Sequence, residues 1–406
     1  MIEKYYSGVI EQIYNRIGKE TRNIVMANYS NDFSIENLEV IRRYQSNEDN
    51  VFFAYSEFSY NTLVGAYEPF LDIICNMHRR FIGGSFDDFQ KECGVYYLHR
   101  QVLNSYYETG ECFREETVLL NEVAYEQRRM TKAIVDMLKR LSEVRPLMIV
   151  INRFQMASKS SIETIKYMID NPCTNIGIVL GVNVQVKGTD STVEVWDRIV
   201  ESLEDRSAIY YIGSAGQQKN HIRDTSDDEL YITTNFEQSI QEASNIMEFL
   251  DYEQAKRGCR IIEHKIKFED AWIDEKSLRR FYLIYARTSV LLGEMSKAIE
   301  LTNEYKALIP ENDSEHYFSI YYFMKGTCYM YQGKLEKAEG CAKKAYDYAL
   351  LADDELLEFK SELLSVMIKM SGWYNIFFCV QDIPVSDEFI EKIIKHGYRN
   401  HLAHIY

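Results

Sequence analysis

Two stretches of this chain, forty residues apart, constrain its fold more than any other feature. LLGEMSKAIELTNEYKALIP (291–310) aligns with YQGKLEKAEGCAKKAYDYAL (331–350), matching Gly293 to Gly333 and Ala298 to Ala338. A fainter copy, DYEQAKRGCRIIE (251–263), puts Ala255 in line with those alanines, and SGWYNIF around Gly372 predicts a fourth turn. Successive spacings of 43, 40 and 39 residues fall near the period of stacked helix pairs, in which each pair buries its apolar face on the next. Small residues recur in such arrays because a larger side chain would hold two crossing helices apart. Gly326, Tyr329, Ala338 and Ala345 supply a small, aromatic, small and small sequence in the second clear copy, while the first offers Ala286, Ala298 and a closing Pro310.

The first half reads differently. Asn23 to Ala27, Val51 to Tyr55, Leu147 to Ile151, Ile176 to Val182 and Ala208 to Gly213 are short and almost continuously apolar, as parallel strands covered on both faces must be. Helical periodicity lies between them, with Ile35, Leu38 and Ile41 on one face and Ile162, Ile165 and Ile169 on another behind a capping box at Ser160 and Glu163. The span 56–145 is mainly helical by pattern, with a turn predicted at Gly83-Gly84. Strand–helix alternation predicts an α/β domain with a parallel sheet over 1–216, a polar linker over 217–232, and an all-α repeat region over 233–406.

Composition narrows the function classes. A net charge of -16 opposes a nucleic-acid backbone, and no basic patch offsets it, so DNA and RNA are not expected partners. No apolar stretch approaches the roughly 20 residues of a membrane span, and the start lacks a secretory pattern, so a cytoplasmic protein is expected. Eight cysteines without a CxxC pair read as buried free thiols. His396, His401 and His404 cluster near the end without acidic or thiol companions, so no metal is expected there.

The repeats resemble tetratricopeptide repeats of the longer variety. The first half resembles the AAA-type P-loop ATPases known as signal-transduction ATPases with numerous domains, through PLMIVINRFQMASKSSIETIKYMI (146–169) and VFFAYSEFSYNTLVGAYEPFLDII (51–74). In that family the strand of the first segment ends in two carboxylates that hold magnesium and poise the attacking water. Here Asn152 and Arg153 stand there instead, and the loop's acidic residue is replaced near Ser158 and Lys159. The phosphate loop, GxxxxGK[ST], falls on ANYSNDFS (27–34), which puts Ala27, Asp32, Phe33 and Ser34 at its defining positions, so only the hydroxyl survives. Asp32 would repel phosphate, and Phe33 replaces the lysine with a ring. Where many relatives carry a nucleotide-sensing arginine, LGVN ends in Asn183. The lid and winged-helix modules of the family are also not recognisable after AIYYIGSAG (208–216).

The expectation is therefore a non-catalytic regulatory scaffold, a pseudo-ATPase domain with a repeat arm that binds a protein or peptide and uses no cofactor. A divergent active NTPase remains the alternative, with Lys19 or Asp170 supplying what the motifs lack. An enzyme of another class on a similar sheet is a third, since fold does not fix function. Proteins resembling this architecture carry output domains such as a nucleotide cyclase or a DNA-binding domain, which makes this chain the sensor part of a larger regulator. Phe389, Ile390, Ile393 and Ile394 on the last helix predict an uncovered apolar edge that would support self-association.

Overall fold

The computed structural model describes residues 2–19, 23–28, 38–46, 50–59, 63–114, 119–183, 209–212, 236–268, 273–312, 314–375, 385–396, 398 and 401. The chain divides into two compact units. One gathers Met1–Phe113, Ala124–Asn235 and Glu248–Ile261, and the other gathers Arg114–Val123, Phe236–Met247 and Ile262–Tyr406. The first contains a parallel sheet and the second is helical, so an α/β start is followed by a helical region. The span 217–232 lies outside the described residues.

In the first unit all five expected strands form: β1 (Asn23–Asn28), β2 (Phe52–Glu57), β3 (Leu147–Asn152), β4 (Ile176–Asn183) and β5 (Ile209–Ile212). They pair in parallel in the order β2-β3-β4-β1-β5. Every residue of β3 is buried, which is why its apolar run is unbroken. Met148 and Val150 point to a core shared with Tyr6, Ile10 and Ile13 of helix α1 (Ile2–Tyr14) and Ile41 and Tyr44 of α2 (Glu39–Ser46). Gly177 of β4 lets this layer close, because a Cβ there would come within 2.7 Å of Ile13 Cγ2.

Between β2 and β3 lie α3 (Phe70–Met77), α4 (Phe86–Glu92), α5 (Tyr97–Thr109) and α6 (Val123–Val144). Gly83 and Gly84 form the predicted turn with φ of 68° and 72°, a region that disfavours a Cβ. After β3, a 3-10 turn over Phe154–Met156 leads into α7 (Lys159–Asp170), whose Ile162, Ile165 and Ile169 are buried. The cap of α7 differs from expectation. Ser158 is the extended residue whose Oγ accepts from the Ser161 N–H, while Ser160 already lies within the helix. The 3-10 turn ends at Met156, so the extended Ser158 follows it closely and starts the helix two residues earlier than expected.

The second unit is built from α8 (Phe236–Glu248), the end of α9 (Tyr252–Phe268), α10 (Glu275–Leu291), α11 (Met295–Ala307), α12 (Ser314–Tyr331), α13 (Leu335–Leu351), α14 (Glu355–Asn375) and α15 (Asp387–Lys395). Ala255 stands at 0% exposure in the part of α9 that belongs to the first unit.

The turns after α10 and α12 are nearly superposable in backbone terms. Gly293 and Gly333 take φ of 78° and 71°, and the next residues, Glu294 and Lys334, take φ/ψ of -89°/59° and -88°/62°. Glu294 N–H donates to Ser289 O and Lys334 N–H to Tyr329 O, at 2.8 and 2.9 Å. Leu250 takes the left-handed place in the fainter copy, with φ 70°. Ala298 and Ala338 are both at 0% exposure, as are Ala342 and Ala345. A Cβ at Gly326 would lie 3.2 Å from Cys341 Cβ and 3.4 Å from the Ala338 carbonyl oxygen, so α12 and α13 approach closely there. Ser319 Oγ donates to the Ala345 carbonyl in the same seam.

Two expectations for the end of the chain are corrected. Gly372 does not form a turn; it sits inside α14, which runs on to Asn375. Phe389 and Ile393 are not an uncovered edge. They pack on Phe359, Leu363 and Tyr398 within the unit, leaving Ile394 exposed at 45%.

Candidate functional site

The carboxyl ends of parallel strands are where α/β sheets place their ligands, because the following loops and helix N-termini converge there. Here β4 lies between β1 and β3. Ala27 is within β1, opposite Val182 on one side and Tyr211 on the other, and so belongs to the strand rather than to a loop. Asn28 stands opposite Asn183, the last residue of β4. Asp32, Phe33 and Ser34 lie outside the described residues.

The end of β3 is the best defined part of this edge. Asn152, 4% exposed, stands opposite Glu57 at the end of β2. Its amide fills the space that Gly181 leaves on β4, where a Cβ would overlap the Asn152 Oδ1. Arg153 then turns out of the strand with φ 54° and ψ 39°, a left-handed conformation costly to a residue with a Cβ. Its guanidinium lies 3.1 Å from Glu57 Oε1 and donates to the Phe58 carbonyl at 3.4 Å. The Tyr55 hydroxyl donates to the other Glu57 oxygen. Position 153 thus holds a cation whose charge is met by Glu57, a partner the sequence reading had not singled out. The visible signal was an acid two residues past the predicted neighbouring strand.

A second buried polar network sits at the start of α7. Asp251, 3% exposed, accepts from the backbone N–H groups of Ser160 (3.0 Å) and Gln254 (3.4 Å). An anion at a helix N-terminus is favoured by the unpaired amides and the helix dipole. Burial nevertheless dominates and raises the Asp251 carboxyl pKa, with the hydrogen bonds from Ser160 acting against it. Around it, Tyr67 N–H donates to Ser160 Oγ, Ser161 Oγ donates to Glu68 O, and Gln254 Nε2 donates to Val64 O. Lys159 pairs with Glu253 at 2.9 Å. Segment 64–70, helix α7 and residues 251–254 are thereby tied together by hydrogen bonds.

The substitutes considered for an active enzyme are not at the edge. Asp170 ends α7, the far end of a 12-residue helix that starts near the carboxyl edge, and Lys19 precedes β1 at its amino end. Among the described residues no group of three or more His, Cys, Asp or Glu side chains is placed to hold a metal ion. His396 stacks on Phe359 at 4.7 Å and His401 lies against Tyr398, while His404 is outside the described residues. Among the described residues seven cysteines are free thiols; burial pushes the Cys75 pKa up to about 11 and that of Cys328 up to about 12. No helix among the described residues is long and apolar enough to cross a membrane.

Comparison with protein-family models gives no match. Comparison with curated proteins gives none either.

Proposed function

We propose that this chain is a non-catalytic regulatory scaffold, in which a degenerate P-loop ATPase-like domain carries a tetratricopeptide-like solenoid arm that binds a protein or peptide. The observation that carries the first half is the Arg153–Glu57 ion pair at the carboxyl end of β3. Magnesium at such an edge needs carboxylate oxygens, whereas a neighbouring guanidinium repels it and occupies the adjacent acid. The strand order supports the domain reading, since β4 between β1 and β3 separates a loop after β1 from a metal strand β3 by one strand. The buried alanines and the matching turns at Gly293 and Gly333 support the arm.

Titration calorimetry with ATP and magnesium tests the reading. The expected result is no magnesium-dependent binding; a dissociation constant in the low micromolar range would overturn it. Asp32→Gly with Phe33→Lys should likewise show no hydrolysis, because the β3 edge would still lack its carboxylates. Turnover by that double variant would show that the metal site is elsewhere.

A further inference from the structure

On this reading of the second unit as a binding arm, we infer that α12 and α13 form a docking strip for an acidic peptide, with Lys325, Lys337 and Lys344 receiving its carboxylates above tyrosine rings.

The strip departs from what a chain of net charge -16 leads one to expect. Lys344 Nζ lies 5.1 Å from the Tyr322 ring centroid, and Lys337 Nζ 5.9 Å from that of Tyr329. Lys325 Nζ donates to the Tyr321 hydroxyl at 2.7 Å. Tyr348 of α13 stacks on Tyr322 of α12 at 5.7 Å and on Phe318 at 5.3 Å, closing an aromatic floor between the helices. Among the described residues none of the three lysines pairs with a carboxylate, although Lys337 and Lys344 are exposed.

The preceding helix pair shows what a neutralised version looks like. Moving back forty residues, Lys337 corresponds to Lys297, which is held by Glu300 at 2.9 Å and by Glu263 at 3.3 Å. Glu300 becomes Gly340 and Glu304 becomes Lys344 in the second pair, so one acid is deleted and another reversed at matching positions. Among the described residues the two pairs therefore differ at this position: Lys297 is met by two acids, whereas Lys337 meets none. Ring faces hold those ammonium groups without satisfying their charge, which lowers the ordering cost of meeting a carboxylate. The half-buried rings suit apolar side chains between the acids. A long polyanion would meet the field of the whole acidic chain, whereas a short acidic peptide meets mainly the local one.

Fluorescence anisotropy on the full chain tests this with three labelled peptides of identical length, repeating Glu-Glu-Leu, Gln-Gln-Leu or Lys-Lys-Leu. The expected result is preferential binding of the glutamate peptide, weakening with salt, and reduced about tenfold or more by Lys337→Glu with Lys344→Glu. Both positions are exposed, so thermal unfolding should be unchanged. Unaltered affinity in that folded double variant would overturn the inference. Tighter binding of the glutamine or lysine peptide would also overturn it while leaving the binding-arm reading intact. Binding of none of the three would count against both.

Discussion

Glu57, the last residue of β2, and Arg153, the first residue past β3, form an ion pair of 3.1 Å across the carboxyl edge of the sheet. Both side chains are mostly buried, at 14% and 22% exposure, so neither can be returned to bulk water when the other is removed. Arg153→Ala should destabilise the fold by about 1–3 kcal/mol through the stranded Glu57 carboxylate. Arg153→Gly should lose the same pair yet be about 1 kcal/mol more stable than the alanine variant, because φ 54° is unstrained for glycine. Urea unfolding of the two variants measures the difference, and equal stabilities would remove the backbone argument.

Asp251 supplies a pH dependence with a definite sign. Its folded pKa is raised, so its favourable contribution is complete below the unfolded carboxyl value of about 3.9 and is lost as pH rises through the raised folded value. Asp251→Asn keeps an acceptor for the Ser160 N–H and has no charge to desolvate. Its stability relative to wild type should therefore improve from acid to neutral pH. Asp251→Ala has no charge either but leaves that buried N–H unpaired, so it should be about 1–3 kcal/mol less stable than Asp251→Asn at every pH. Thermal melts of the three proteins across pH decide the matter; a constant gap between Asp251→Asn and wild type would contradict the burial effect.

Gly177→Ala should overpack the layer between α1 and the sheet, since the new methyl group would press on Ile13 Cγ2 and on Ile17 carbons 3.1 Å away. A loss of about 1–3 kcal/mol is expected. Adding Ile13→Ala should cost less in this background than in wild type, and strict additivity in the double-mutant cycle would rule out the contact.

Ala298→Leu and Ala338→Leu should each destabilise by about 1–3 kcal/mol, because both positions are fully enclosed. Changes below about 0.5 kcal/mol, the range of exposed substitutions, would argue that neither alanine lies at a close helix crossing.

Ile393→Asp should lower stability by about 3 kcal/mol or more, as it introduces a charge beside Phe359, Leu363 and Tyr398. Ile394→Asp, at an exposed position on the same helix, should change stability by no more than about 0.5 kcal/mol. Chemical unfolding of the two variants separates a core role for residue 393 from a surface one.

By itself the sequence determined the local and periodic features of this protein. The five strands were legible because a strand buried on both faces must be continuously apolar, as Leu147 to Ile151 is. The Gly293 and Gly333 turns were legible because a left-handed residue ending a helix selects glycine, and forty-residue spacing repeats that demand. Only tertiary structure decided which distant groups meet. Glu57 and Arg153 are 96 positions apart, Ser160 and Asp251 are 91 apart, and Gln254 reaches Val64 across 190. No helical or strand period connects such positions, so their charges and donors read as ordinary surface chemistry until the chain folds. The same limit explains Ile393, whose periodicity marked an apolar face without saying that Phe359 and Tyr398 cover it. Periodicity tells which side of an element avoids water, but packing alone tells what it finds there.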